Sequence, residues 1–216
     1  MKSTVAIIDY GMGNLFSVSK AFEYCGAEVV ITDSAVEIDK AQKLVLPGVG
    51  AFKDGMNNLC KRNLIEPIKR FALSERPLLG ICLGMQMLLE MSEEFGVHEG
   101  LGLIPGKVVA IPETDLNGFH HKIPHVGWNQ LSRPVHLDSW KGTLLSSIEP
   151  QTAVYFIHSF AAQPLYKDHY LAECSYNGHI ICAAIQSNFL SGCQFHPEKS
   201  GKVGLRIIKN FLELKI

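Results

Sequence analysis

The sequence carries no excess of charge of either sign: 20 Lys and Arg stand against 21 Asp and Glu, a formal net charge of −1. Nucleic acids and acidic membrane surfaces are met by clustered positive charge. Lys122 to Lys141 is mixed polar and aromatic sequence and not such a patch, so neither partner is expected. Long hydrophobic runs are missing too. No segment approaches the roughly 20 apolar residues of a membrane span. The run from Val5 to Ile8 is too short for the core of a secretory signal and ends at Asp9. The six cysteines (Cys25, Cys60, Cys82, Cys174, Cys182, Cys193) form no CxxC pair and are too sparse for a disulfide scaffold. Reduced thiols in a cytoplasmic protein are expected. Asp9-Tyr10-Gly11-Met12-Gly13-Asn14 lacks the third glycine of a dinucleotide-binding loop. His120, His121 and His125 are close in sequence, but Pro124 interrupts any helical HxxxH spacing. Without further ligands no metal site is expected.

What is present is a globular composition, 47% hydrophobic and 19% charged over 216 residues, enough for one domain spanning 1–216 with a buried core. In the first half, short apolar runs (Val5–Ile8, Glu28–Ile31, Lys43–Leu46, Leu78–Ile81) alternate with helical stretches at Asn14–Tyr24, Ala51–Leu73 and Leu83–Met91. The stretch from Ala51 is expected to break near Pro67. Alternation of this kind predicts parallel βαβ units. The second half reads as strands at Val108–Ile111, Trp128–Leu131, Val154–Ile157, Leu171–Cys174, Ile180–Ile185 and Gly192–Phe195, with a hairpin turn at Asn177-Gly178 and a closing helix at Gly204–Leu214. The expected fold is a three-layer α/β domain around a mixed, mainly parallel sheet.

Chemistry concentrates in Leu79-Gly80-Ile81-Cys82-Leu83-Gly84-Met85-Gln86. Here a strand passes into a helix around a cysteine flanked by glycines. Such an elbow exposes its central side chain and lets the backbone approach closely. The helix start favours thiolate over thiol, and the Leu83 N–H points where a substrate oxyanion would form. A lone cysteine is more often a small buried hydrophobe, and the other five have no comparable setting. A thiolate nucleophile needs a base and a group that orients it. Gln194-Phe195-His196-Pro197-Glu198 ends an apolar run, and in extended chain His196 and Glu198 project to one side. Together these residues read as a Cys82-His196-Glu198 triad. Leu46-Pro47-Gly48-Val49-Gly50 follows another strand, and its glycines make the Val49 peptide easy to reorient toward the same oxyanion.

The Gly80–Gln86 elbow, Pro47-Gly48-Val49-Gly50 and His196-Pro197-Glu198 resemble the class I (triad) glutamine amidotransferases. Asp9–Asn14, Pro124-His125-Val126-Gly127-Trp128-Asn129 and Tyr155-Phe156-Ile157-His158-Ser159-Phe160 narrow the resemblance to the glutaminase subunits of imidazole glycerol phosphate synthases, of histidine biosynthesis. The resemblance spans nearly the whole chain. It implies a flavodoxin-like fold and glutamine hydrolysis through a Cys82 thioester, without metal or organic cofactor. It further implies a (β/α)₈ cyclase partner in a heterodimer. Carried over, Cys82, His196 and Glu198 are catalytic; Val49, Gly50 and Leu83 form the oxyanion hole; and Gly50, Gln86, Glu94, Ser159 and Phe160 contact glutamine. Asp9–Asn14 would lie at the partner interface, and Trp128 beside the ammonia exit. Pro112–Lys122 is longer than in compact members. The alternatives are a paralogous amidotransferase with another acceptor, a stand-alone γ-glutamyl cysteine hydrolase, or a non-catalytic module retaining the fold.

Overall fold

The computed structural model describes residues 3–214. The first half alternates β1 (Thr4–Ile8), α1 (Leu15–Tyr24), β2 (Glu28–Thr32), α2 (Ala35–Lys40), β3 (Lys43–Leu46), α3 (Phe52–Lys61), α4 (Ile65–Leu73), β4 (Leu78–Ile81) and α5 (Leu83–Met87). The second half adds β5 (Leu89–Ser92), β6 (His98–Glu99), β7 (Ile104–Ala110), β8 (His125–Gln130), β9 (Ala153–His158), β10 (Phe160–Pro164), β11 (Tyr170–Tyr176), β12 (His179–Ser187), β13 (Leu190–Cys193) and α6 (Gly201–Glu213).

The central sheet has seven strands in the order β11-β12-β13-β4-β3-β1-β2. Pairing is parallel from β13 through β2 and antiparallel from β11 to β13. Period-two alternation feeds a core on each face. Val5 and Ile7 of β1 with Val45 of β3 meet α1 and α6, while Ala6, Ile8, Leu44 and Leu46 meet α2 to α5. This gives the three layers the alternation implies. A smaller sheet (β10-β7-β5-β6) and the antiparallel ribbon β8–β9 complete the molecule. Among the described residues no helix is long and apolar enough to cross a membrane.

Several boundaries differ from the sequence reading. The helix after Cys82 ends at Met87, not Met91. The carbonyls of Met87, Leu88 and Leu89 are taken by the N–H groups of Leu101, Leu103 and Gly102, and the chain leaves as β5. An apolar run as short as Met87-Leu88-Leu89 suits either element, so only these tertiary bonds decide. The break in Ala51–Leu73 falls at Asn63, which turns left-handed at φ +54°, and not at Pro67. Pro67 sits in the first turn of α4, where its missing N–H costs nothing. Helix α2 was not expected; it is six residues with Ile38 alone buried, too short for a periodic signal.

Candidate active site

Cys82 stands between β4 and α5 at φ +53°, ψ −110°, a conformation costing a non-glycine residue about 1–3 kcal/mol. The surroundings hold it there. Its N–H donates to the Cys193 carbonyl of neighbouring β13 at 2.7 Å. A Cβ at Gly80 would lie 2.7 Å from the backbone of Gly84 and Met85, and one at Gly84 would run into the Leu46 carbonyl. The glycines therefore matter for close packing of strand, elbow and helix. Gly84 is pressed against β3, the strand that carries the Pro47–Gly50 loop.

The parallel pairing of β4 with β13 brings the end of β13 beside the elbow. His196 follows it, and its N–H donates to the Tyr155 carbonyl of β9 at 2.9 Å. The His196 Nδ1 lies 2.7 Å from Glu198 Oε1, with both side chains almost wholly buried. Ser200 fixes the turn: its hydroxyl donates to the His196 carbonyl at 2.7 Å and accepts the Tyr155 N–H at 3.0 Å. Glu198 reaches His196 within a short 3₁₀ turn, Pro197–Lys199, and not from an extended strand. Burial works against a charged imidazole, but hydrogen bonding and charge from the Cys82 sulfur and the Glu198 carboxylate outweigh it and raise His196 to about 9. Its Nε2 is buried and has no hydrogen-bond partner within normal geometry among the described residues. Because α5 has only five residues, its dipole is weaker than a long helix would supply. A protonated His196 brings a positive charge to the sulfur that so short a helix supplies only weakly.

Other expected residues cluster around this pair. The Gln86 Nε2 donates to the Phe160 carbonyl at 3.0 Å and to Gln194 Oε1 at 2.9 Å. Gln194 Nε2 lies 3.6 Å from the Cys82 sulfur. Gln194 was not among the expected site residues, although it stands two positions before His196 and so shares its side of the chain. Ser159 and Phe160 follow β9 and are half-buried, and Ile157, just before them, brings its carbonyl to 3.9 Å from the sulfur. Glu94 is tied to the loop after β3 through its Oε2, which accepts the Phe52 N–H at 2.6 Å. Val49 and Gly50 are exposed, with Gly50 at φ +103°. The Leu83 N–H donates to the Gly48 carbonyl at 3.3 Å. The Gly48–Val49 peptide therefore turns its oxygen, not its N–H, toward the elbow.

Behind the site, two buried histidines join end to end. The His158 Nδ1 lies 2.8 Å from the Phe160 carbonyl, His125 Nδ1 is 3.0 Å from His158 Nε2, and Asn129 Nδ2 is 3.2 Å from His125 Nε2. A carbonyl can only accept, so His158 carries its proton on Nδ1, its Nε2 accepts from His125, and His125 Nε2 accepts from Asn129. Desolvation lowers His125 to about 4 and His158 to about 3, keeping both neutral.

Fold and site together define a class of protein. A family model described as glutamine amidotransferase class-I matches residues 6–214. Among solved structures, PurLQS from Thermotoga maritima superposes with a TM-score of 0.71 at 18% identity, covering 98% of each chain. The structure of a glutamine amidotransferase gives 0.72 at 16% identity, covering 97% of each. Curated relatives are more specific. Imidazole glycerol phosphate synthase subunit HisH 1 of Legionella pneumophila (strain Lens) is 53% identical over 212 residues, 98% of this chain and 100% of that protein. Subunit HisH of Geobacter sulfurreducens is 48% identical over 215 residues, 98% and 99% of the two chains. The chain belongs to the class I glutamine amidotransferases and, within them, to the HisH family.

Proposed function

We propose that the protein is the glutaminase subunit of an imidazole glycerol phosphate synthase, with all of residues 1–216 acting as one amidotransferase domain in the cytoplasm. The observation that carries the chemistry is the buried Cys82, His196, Glu198 cluster at a strained strand-to-helix elbow. The Cys82 thiolate attacks the side-chain carboxamide carbon of glutamine. His196, as imidazolium, gives its proton to the nitrogen as the C–N bond breaks, releasing ammonia and leaving a γ-glutamyl thioester. His196, now neutral, takes a proton from water; the hydroxide adds, the C–S bond breaks, and glutamate leaves with the thiolate restored. Glu198 holds the imidazole in orientation and balances its charge. Gly50, Gln86, Glu94, Ser159 and Phe160 hold the glutamine.

Oxyanion stabilisation requires the Gly48–Val49 peptide to turn. With the Gly48 carbonyl on the Leu83 N–H, neither Leu83 nor Val49 can serve the tetrahedral intermediate. Rotation frees the first N–H and aims the second. One such donor contributes about 2.7–4 kcal/mol, or about 10²–10³ in rate. That is enough to couple glutamine hydrolysis to a partner that accepts the ammonia. The partner is a (β/α)₈ cyclase subunit forming imidazole glycerol phosphate and an aminoimidazole carboxamide ribotide. It docks on the outward face of the β8–β9 ribbon, where Val126 pairs with Ile157 and Trp128 with Tyr155. Val126, Trp128 and Ile157 are all exposed there, beside the elbow.

The test is Cys82→Ser in the complex with the cognate cyclase subunit. Glutamine-dependent synthesis should vanish while synthesis from added ammonia persists. Substantial glutaminase activity in the variant would remove Cys82 from its role. Equal wild-type glutaminase rates with and without the liganded partner would favour a stand-alone hydrolase.

A further inference from the structure

Tyr10 lies just beyond the C-terminal end of β1, in the loop preceding α1, and is fully buried. Among the described residues its hydroxyl has no hydrogen-bond partner. Such an orphan is uncommon, because a buried hydroxyl that loses water without gaining a partner is destabilising. Its position is specific. A Cβ built on Gly48 would collide with Tyr10 Oη on one side and lie 3.0 Å from Leu83 Cβ and 3.2 Å from Gly84 N. The Tyr10 hydroxyl, Leu83 Cβ and Gly84 N thus crowd the one face of Gly48 where a Cβ would stand, and the Gly48 carbonyl rests on the Leu83 N–H. Burial, with the Cys82 charge second, pushes the Tyr10 phenol up. It therefore stays protonated, a donor within electrostatic reach of the sulfur.

We infer that the Tyr10 hydroxyl is the waiting hydrogen-bond donor for the Gly48 carbonyl in the turned loop, a positioning residue that holds the oxyanion hole open. The inference rests on the peptide rotation proposed above and adds to it the group that receives the displaced oxygen. In the arrangement seen here the carbonyl accepts from Leu83 and Tyr10 is unpaired. After rotation the carbonyl accepts from Tyr10, and Leu83 and Val49 are both free for the substrate oxygen. The number of satisfied protein groups is thus conserved across the switch. Tyr10 touches neither glutamine nor the reacting atoms; it acts through the loop.

The test is Tyr10→Phe, which keeps the ring and removes only the oxygen. Two readouts should separate, stability holding or rising while turnover falls, which loss of packing would not produce. Without its orphan hydroxyl the free protein should unfold at an unchanged or higher temperature. In the complex with the liganded cyclase, kcat for glutamine should fall about tenfold, the scale of one lost hydrogen bond, with KM for glutamine unchanged. Synthesis from added ammonia reports that the complex is assembled. The rate of Cys82 alkylation by iodoacetamide, expected to match wild type, reports that the elbow is intact. A stimulated kcat equal to wild type overturns the inference while leaving the glutaminase reading standing. So does a lower unfolding temperature together with a lower kcat, which marks a hydroxyl already bonded in the free protein. A wild-type complex showing no partner stimulation overturns both. A β-branched residue at Gly48 is a poorer probe of the same loop, because its Cβ would displace Tyr10 directly.

Discussion

Glu198 shows how much a single residue depends on the two around it. Its carboxylate meets His196 Nδ1 in a site that excludes water, and there a hydrogen bond and a charge contribute far more than at the surface. Glu198→Gln retains the shape and removes the charge, so His196 loses one of the partners that hold its pKa up. The expected outcome is near-normal glutamine binding with kcat lowered by about 10²–10⁴, measured at saturating glutamine in the complex. An unchanged kcat would reduce Glu198 to a structural role. The remaining thiols contrast with Cys82. Desolvation raises Cys174 to about 12 and lifts Cys182 and Cys193 as well, so these three stay protonated and inert.

At the scale of elements, the β8–β9 ribbon ties the Ser159–Phe160 segment to the body of the protein. His125 stacks between Phe156 and Tyr176 and passes its hydrogen bond to His158, which holds the Phe160 carbonyl. Both histidines are neutral when folded, at about 4 and about 3, whereas an unfolded histidine titrates near 6.5. Between these values the unfolded chain binds more protons, so stability rises with pH there and is lost as pH falls below about 6.5. Each histidine should cost about 1.6 kcal/mol between pH 6.5 and 5.0, a window above most carboxylate titration. His196 has the opposite sign. Raised to about 9, it gives its full contribution below 6.5 and loses it as pH rises through 9. Urea midpoints of the free protein at pH 6.5 and 5.0 check the first statement; equal midpoints would mean that the pair is not held neutral.

For the whole molecule, the proposed docking face and the Cys82 elbow are neighbours, the Ile157 carbonyl of β9 lying 3.9 Å from the sulfur. A separate groove of about 980 Å³, lined by Met91, Val135, Leu165 and Ile180 among others, contains none of the triad residues. Of the two tryptophans, Trp140 is buried with its N–H on the Leu171 carbonyl, whereas Trp128 is 59% exposed on the ribbon. Binding of the cyclase subunit should therefore shift the emission of Trp128 to the blue. Trp128→Ala should weaken the complex by about tenfold or more, as an aromatic anchor at the centre of an interface does. Titration of wild type and variant by fluorescence and calorimetry measures both effects. Unchanged emission on addition of the cyclase would place the interface elsewhere.

The candidate site residues could be picked out in the sequence because they sit in short motifs with local causes. A cysteine between glycines at a strand-to-helix change, a His-Pro-Glu run at a strand end and a glycine-rich loop each have a backbone reason readable within about five residues. Alternating apolar runs likewise implied the parallel half of the sheet, since period two and period 3.6 differ plainly over a strand followed by a helix. The rest depended on contacts distant in sequence. Leu83–Met91 is apolar enough for one helix, yet carbonyls captured by Leu101–Gly102–Leu103 turn its second half into β5. Pro67 looked like a breaker but occupies a helix start, because Asn63 had already ended the preceding helix. Gln194 touches Cys82 only because β13 pairs with β4. The sequence by itself determined which residues are candidates for the chemistry and placed Cys82 at a strand-to-helix change, whereas the 3₁₀ turn that brings Glu198 to His196 came only with the structure. Tertiary structure alone decided that the Leu83 N–H is occupied by Gly48 and that the Tyr10 hydroxyl is buried beside it with no partner among the described residues. Hydrogen-bond satisfaction is a property of the folded neighbourhood, and no spacing along the chain encodes it.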